Sequence, residues 1–368
     1  MSLPASHRAL QLESKESGFQ VRVLATPQPT TGTAIVAVCS AAILPYHGAV
    51  YSGKHPVKYP TPLVGGFSAI GRIAAVGPDA TTLAPGQLVY VDCVVRARDC
   101  PDEFFLSAIS DGLTPGGRKL MAGAWRDGTF AEFVAMPLEN CIPLNEAKLC
   151  QVLGYSPQDL ACMAYMLVPY AGLRDIRLEA GETIVICPAT GFYSSLAVQV
   201  AITMGASVIA LGRSEDKLKA LAIDIHSRYP LASMETVCIT GDEAKDTTAI
   251  KTLGTVDAVL DITPSAASGS THTRSAIKSL RRGGRISVMA STKNIAVSEI
   301  LLNGLTVKGK MMYERDAVIH FVKMLEAGLF PKNGNLVNTT VFGLDEWKDA
   351  FSFAAENKGI GQCVVFKP

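Results

Sequence analysis

Three groups of residues in this chain are of types that can do chemistry. Ala210-Leu-Gly-Arg-Ser214, with Lys217 one turn further on, brings a guanidinium, a hydroxyl and an ammonium within a few residues. Such donors suit the oxygens of a phosphate monoester; the alternative is the solvated basic start of a helix. Pro45-Tyr46-His47, followed by Tyr51, sets an imidazole that titrates near neutrality beside phenolic hydroxyls. Tyr46 and His47 are therefore candidate general acids, against a histidine that satisfies a loop carbonyl and tyrosines that only pack. Pro188-Ala-Thr-Gly-Phe-Tyr-Ser194 lies between an apolar strand pattern and an apolar helix pattern. Gly191 and the hydroxyls of Thr190, Ser194 and Ser195 would open that helix N-terminus to an anion, unless Phe192 and Tyr193 fill the space.

The elements that must position these groups change character along the chain. Up to about residue 150 the pattern is of short strands and turns: Ala34 to Cys39, Ile70 to Val76, Gln87 to Asp92 and Thr129 to Met136, separated by Gly/Pro clusters. An apolar helical segment covers about 155 to 175. Beyond it, strands alternate with helices: Glu182 to Pro188, Ser207 to Leu211, Thr236 to Thr240, Val256 to Ile262, Arg285 to Ala290 and Thr306 to Met312. Near-continuous apolar strands in a βαβ rhythm predict a parallel sheet covered on both faces. Helices over Ala317–Ala327 and Asp345–Asn357 and a closing strand, Gln362–Phe366, complete the chain.

Two stretches carry a family likeness: Pro62-Leu-Val-Gly-Gly-Phe-Ser-Ala-Ile-Gly-Arg-Ile-Ala-Ala-Val-Gly77 and Leu83-Ala-Pro-Gly-Gln-Leu-Val-Tyr-Val91. They resemble the core of the GroES-like catalytic domain of medium-chain dehydrogenases/reductases, on the zinc-less, quinone- and enoyl-reductase side and among fungal alcohol-dehydrogenase-like members. The resemblance implies an α/β fold: a β-rich GroES-like catalytic domain over 1–154, a doubly wound Rossmann cofactor domain over 155–312, and a C-terminal return over 313–368 that completes the catalytic domain.

It also implies where a catalytic zinc would sit. The family's three ligand positions fall on Ala42, Phe67 and Ala164, none of which can bind a metal. The region of the structural-zinc lobe holds only Cys93 and Cys100. No metal is expected. Deprotonating an alcohol of pKa about 16 then lacks its usual help, which makes reduction the easier direction. The substrate wall falls on Ala42, Leu44, Tyr51, Phe67, Trp125, Ala164 and Tyr165, with Tyr165 facing the former metal site. That predicts a roomy apolar pocket in the cleft between the domains. The expected reaction is reduction of a bulky α,β-unsaturated carbonyl, quinone or aldehyde.

For the cofactor, the second Rossmann strand ends on Arg213, Ser214 and Lys217 instead of the acid that NAD enzymes place there, so NADPH is expected. Thr190, Gly191, Ser194 and Ser195 would hold its diphosphate; Thr263, Pro264, Ala290 and Ser291 lie where the nicotinamide should seat. The rivals are a non-redox descendant with a degenerate cofactor site and a silent binding protein.

Composition fits this reading. At 368 residues, 48% hydrophobic and 18% charged, the chain can build two cores. A net charge of +1 provides no electrostatic footprint for nucleic acid. No apolar run is long enough for a membrane span, and the N-terminus lacks a signal peptide's apolar core. Nine cysteines without a C-x-x-C pattern predict reduced thiols in a cytoplasmic protein. The resemblance implies a monomer or homodimer acting on a small molecule.

Overall fold

The computed structural model describes residues 3–359 and 361–368. Strands β1 (Ser6–Leu12), β2 (Phe19–Ala25) and β3 (Thr33–Ile43) lead to the short helix α1 (His47–Tyr51). Then come β4 (Leu63–Val64), β5 (Ala69–Val76), β6 (Leu88–Val91), β7 (Val94–Arg96) and β8 (Phe104–Leu106). Helix α2 (Pro115–Ala122), β9 (Phe133–Pro137), β10 (Cys141–Pro143) and α3 (Pro157–Leu160) follow. Helix α4 (Met163–Asp175) opens the alternating region: β11 (Thr183–Cys187), α5 (Phe192–Thr203), β12 (Ser207–Gly212), α6 (Glu215–Arg228) and β13 (Met234–Cys238). It continues through α7 (Glu243–Lys251), β14 (Val256–Asp261), α8 (His272–Ser279), β15 (Leu280–Val288), α9 (Val297–Asn303), β16 (Thr306–Gly309) and α10 (Arg315–Glu326). The chain ends with β17 (Asn338–Phe342), α11 (Trp347–Glu356) and β18 (Gln362–Phe366).

The chain divides into two units. The first takes 1–164, 332–358 and 362–368; the second takes 165–331 and 359–361. Against the expected ranges, residues 155–164 go with the first unit and 313–331 with the second. The physical reason is packing. Thr339 donates to Asp159 within the first unit at 2.9 Å, while Phe321 of α10 packs on Tyr170 of α4 at 5.3 Å.

In the first unit, β10-β6-β5-β3-β18-β17 form one sheet with β9 also paired to β3; β2-β1-β4 form another. Strand β3 is the hub, pairing with β5, β9 and β18, and its apolar run buries residues on both faces. Gly71 permits the β3–β5 approach: a Cβ there would meet Val36 and lie 2.6 Å from the Ala37 carbonyl oxygen. The core runs from Leu10 and Leu12 through Phe130 and Phe351 to Phe366.

The second unit is a six-stranded parallel sheet in the order β13-β12-β11-β14-β15-β16, a doubly wound arrangement that reverses beside β11. Strands β11 and β14 lie at its centre, and their residues Ile184–Cys187 and Ala258–Asp261 are fully buried. That is what a continuous apolar run requires. Among the described residues, no helix is long and apolar enough to cross a membrane, and no disulfide joins the nine cysteines.

Candidate active site

In open parallel sheets, ligands bind beyond the carboxyl ends of the strands where the order reverses, here at the loops after β11, β12, β14 and β15. After β11, Gly191 caps α5 in extended backbone, φ −86° and ψ 171°. Its N–H donates to the Ser194 hydroxyl at 3.0 Å, and the Ser195 hydroxyl donates to the Phe192 carbonyl at 3.1 Å. Both serines are buried and serve the helix start: Ser195 has given its hydrogen to the Phe192 carbonyl, while Ser194 accepts and keeps its own hydrogen to donate. Thr190 is half-buried, and Gly191 is exposed; a Cβ on Gly191 would meet only the Ser194 hydroxyl, at 2.9 Å. The Phe192 ring turns onto Tyr165, edge to face at 4.8 Å, and onto Tyr193 at 5.1 Å.

After β12, Arg213 and Lys217 are exposed. Among the described residues neither is in an ion pair, whereas the nearby acid Glu215 is held by Lys219 at 2.8 Å. Ser214 accepts the Lys217 N–H at 3.4 Å as the cap of α6, which leaves its own hydrogen available to donate. Two cations without carboxylate partners and one hydroxyl are a donor set that fits a phosphate monoester.

After β14, Asp261 and Thr263 are buried and Pro264 is exposed. Asp261 accepts from the Thr263 N–H at 2.9 Å, from the Thr263 hydroxyl, and from the Thr273 hydroxyl at 3.0 Å. Thr263 also meets His272 Nε2 at 2.7 Å. Burial pushes the His272 pKa down, with Asp261 opposing and Arg213 reinforcing the shift. Ala290 is half-buried and Ser291 exposed in the loop after β15. Cys187, Asp261 and His272 bring donor atoms within 4.8 Å of one another, the one such group among the described residues that could hold a metal. Both Asp261 oxygens there already accept hydrogens from threonines.

The first unit departs from expectation. Ala42, Leu44, Tyr51, Phe67 and Ala164 are 0–3% exposed, and neither of the two cavities described in the molecule is lined by them. The expected room is filled by rings. Phe67 stands edge-on to His47 at 5.5 Å, His47 packs on Phe130 at 5.4 Å and on Tyr51 at 5.4 Å, and Phe351 closes the cluster. Tyr165 differs too: within the second unit it is wholly buried against Phe192. Trp125 is half-buried and packs against the first unit's core.

His47 is not the neutral-pH acid its type suggests. Nδ1 accepts the Leu44 N–H at 3.1 Å, so the ring proton sits on Nε2, which has no partner. Complete desolvation pushes the pKa down to about 3. Tyr51 accepts the Gly66 N–H at 2.9 Å, and burial raises its pKa. Tyr46 is half-buried and stacks on His55 at 5.9 Å.

Two features had escaped the sequence reading. His272 joins the Thr263 site from the first turn of α8, nine residues on, and only the helix start in Thr271-His272-Thr273 hinted at it. A cavity of about 220 Å³ lies in the first unit, lined by His7, Leu24, Val64, Arg126, Asp127 and Phe133 among others. Nothing local in the sequence marks it.

Comparison with known proteins fits this geometry. Residues 30–146 match the alcohol dehydrogenase GroES-like domain. The acryloyl-coenzyme A reductase of Metallosphaera sedula is 28% identical over 211 residues, a match spanning 57% of this chain and 60% of that protein. An alcohol dehydrogenase of Moraxella sp. is 23% identical over 365 residues, spanning 97% of this chain and 98% of that one. Among solved structures, a thermostable alcohol dehydrogenase of Pyrobaculum aerophilum, with cobalt and zinc bound, superposes at a TM-score of 0.73 and 20% identity, covering 99% of this chain and 100% of its own. Residues 30–146 are therefore an alcohol dehydrogenase GroES-like domain, and the chain as a whole is similar in fold to alcohol dehydrogenases.

Proposed function

We propose that the protein is an NADPH-dependent oxidoreductase that reduces an α,β-unsaturated carbonyl, quinone or aldehyde without a catalytic metal. The observation that carries this reading is the end of β12, where Arg213 and Lys217 have no carboxylate partner among the described residues and Glu215 is engaged by Lys219. An acid at that position would bond a ribose diol; two cations and the Ser214 hydroxyl suit a 2′-phosphate. Thr190, Gly191 and the start of α5 would hold the diphosphate, and Thr263, Pro264, Ala290 and Ser291 the nicotinamide end. The cofactor supplies a hydride. On the protein side, the remaining task is to deliver a proton and stabilise the developing oxyanion.

Tyr46 is the better proton-donor candidate of the two named from sequence, because its half-buried phenol is not sealed in the core as His47 is. Ala42, Phe67 and Ala164 offer no ligand atom, which supports a reaction polarised by protein groups or water. The packing around Phe67 withdraws support for an especially bulky substrate. A homodimer is part of the proposal. Edge strand β16 is exposed at all four residues, and α9 before it presents Leu301 and Leu302 at 82% and 70% exposure.

A second reading is a non-redox descendant that does not bind the dinucleotide. Phe192 on Tyr165 and the Ser195 hydroxyl spent on the Phe192 carbonyl favour it. One assay separates them. The oxidoreductase reading expects enone- or enal-dependent loss of NADPH absorbance that survives dialysis against a strong chelator. Absence of turnover across enones, enals and quinones, or its abolition by the chelator and recovery with zinc, contradicts the proposal.

A further inference from the structure

Asp261 ends the central strand β14 with no solvent exposure. A carboxyl group there has lost its water and needs protein donors in its place, and three are present. The Thr263 N–H and hydroxyl both point to Oδ1, and the Thr273 hydroxyl reaches Oδ2 at 3.0 Å. A hydroxyl has one hydrogen to give, which fixes the direction of every further bond. Thr263, having donated to Asp261, must accept from His272 Nε2 at 2.7 Å, so the Nε2–H tautomer is selected. Thr273, having donated likewise, accepts from the Thr292 hydroxyl at 3.3 Å. The Asp261 carbonyl oxygen also accepts the Met289 N–H at 2.8 Å.

One buried residue therefore ties together three segments: the turn after β14, the first turn of α8, and the loop after β15. The first and third are the segments assigned to the nicotinamide end.

We infer that Asp261, with Thr263, His272 and Thr273, is a positioning network that pre-arranges residues 262–264 and 289–292 to receive the nicotinamide half of the cofactor. The inference rests on the NADPH reading above and goes beyond it by naming Asp261, His272 and Thr273 as residues that act without touching the ligand. Preorganisation is worth affinity because the loops need not be ordered on binding. Since the loops it fixes are those assigned to the nicotinamide end, its loss should weaken the whole cofactor more than the adenosine half alone.

The test is titration of wild type, Thr273→Val, Thr292→Val and Thr273→Ser with NADPH and, separately, with 2′,5′-ADP. Thr273→Val keeps the volume and removes the hydroxyl; Thr292→Val cuts only the side-chain link from the loop after β15 and serves if the first variant fails to fold. The expected result is about tenfold weaker NADPH binding in the valine variants. In them 2′,5′-ADP affinity stays within about twofold, and Thr273→Ser restores NADPH binding. Unchanged NADPH affinity in both valine variants overturns the network, as does equal weakening of both ligands, which would mark a general structural role. Wild-type protein that binds neither ligand overturns the NADPH reading and this inference with it. Wild type that binds both, with indifferent variants, overturns this inference alone.

Discussion

His47 shows how burial overrides residue type. In water its imidazole would be half-charged near pH 6.5, but within rings from Tyr51, Phe67, Phe130 and Phe351 it stays neutral down to about 3. Between those two values the unfolded chain binds a proton that the folded chain refuses. Stability is then full above the unfolded pKa and falls on acidification below it, by up to about 1.4 kcal/mol per pH unit from this residue alone. Urea unfolding of wild type and His47→Phe across pH 7 to 4 checks this. The variant should lose about 1–3 kcal/mol at neutral pH, because the Leu44 N–H loses its acceptor, and its acid slope should be shallower. An unchanged slope would count against the buried neutral ring. The sequence could not foresee this burial, since the rings come from positions scattered between 51 and 351. Arg213 and Lys217 were legible because their place at an exposed strand end depends only on local pattern.

Elements were read well wherever the signal was local. Each strand of the parallel sheet overlaps its apolar run, and the closing strand Gln362–Phe366 has the expected bounds. The loop after β11 was less legible, because its outcome turns on where two aromatic rings point. Asp127-Gly128, a dipeptide of the type that favours turns, is packed more tightly than a turn alone requires. A Cβ on Gly128 would collide with the Gly66 carbonyl oxygen and lie 2.7 Å from Ala108 Cβ and 2.8 Å from the Gly65 carbonyl oxygen. Asp127 meanwhile fixes β4 by accepting the Val64 N–H at 2.9 Å. Gly128→Ala should therefore lower stability by about 1–3 kcal/mol or more, measured as a fall in the denaturation midpoint. A neutral substitution would show that the β4 region yields more easily than this backbone contact implies.

At the scale of the whole molecule, the chain leaves its first unit at Ala164 and re-enters it at Lys332, so β17 and β18 finish a sheet begun by β3. Pattern alone cannot fix such a return, because strand pairing across more than 300 residues leaves no local mark. The open edge of β16 belongs to the same scale. If two copies join there, Val307→Glu places like charges across the symmetry axis and should convert a dimer to a monomer by light scattering. A wild-type monomer, or a variant dimer of unchanged strength, would move the interface elsewhere or remove it.

The central claim is the cofactor and its selection at the end of β12, and a paired titration tests it most directly. Wild-type protein should bind NADPH saturably with a Kd on the order of micromolar and NADH at least about tenfold more weakly. Arg213→Ala with Lys217→Ala should cost NADPH about 1.5–3 kcal/mol for each charged hydrogen bond lost and leave NADH nearly unchanged. Equal affinity for the two nucleotides, equal losses in the double variant, or no saturation with either would contradict the account.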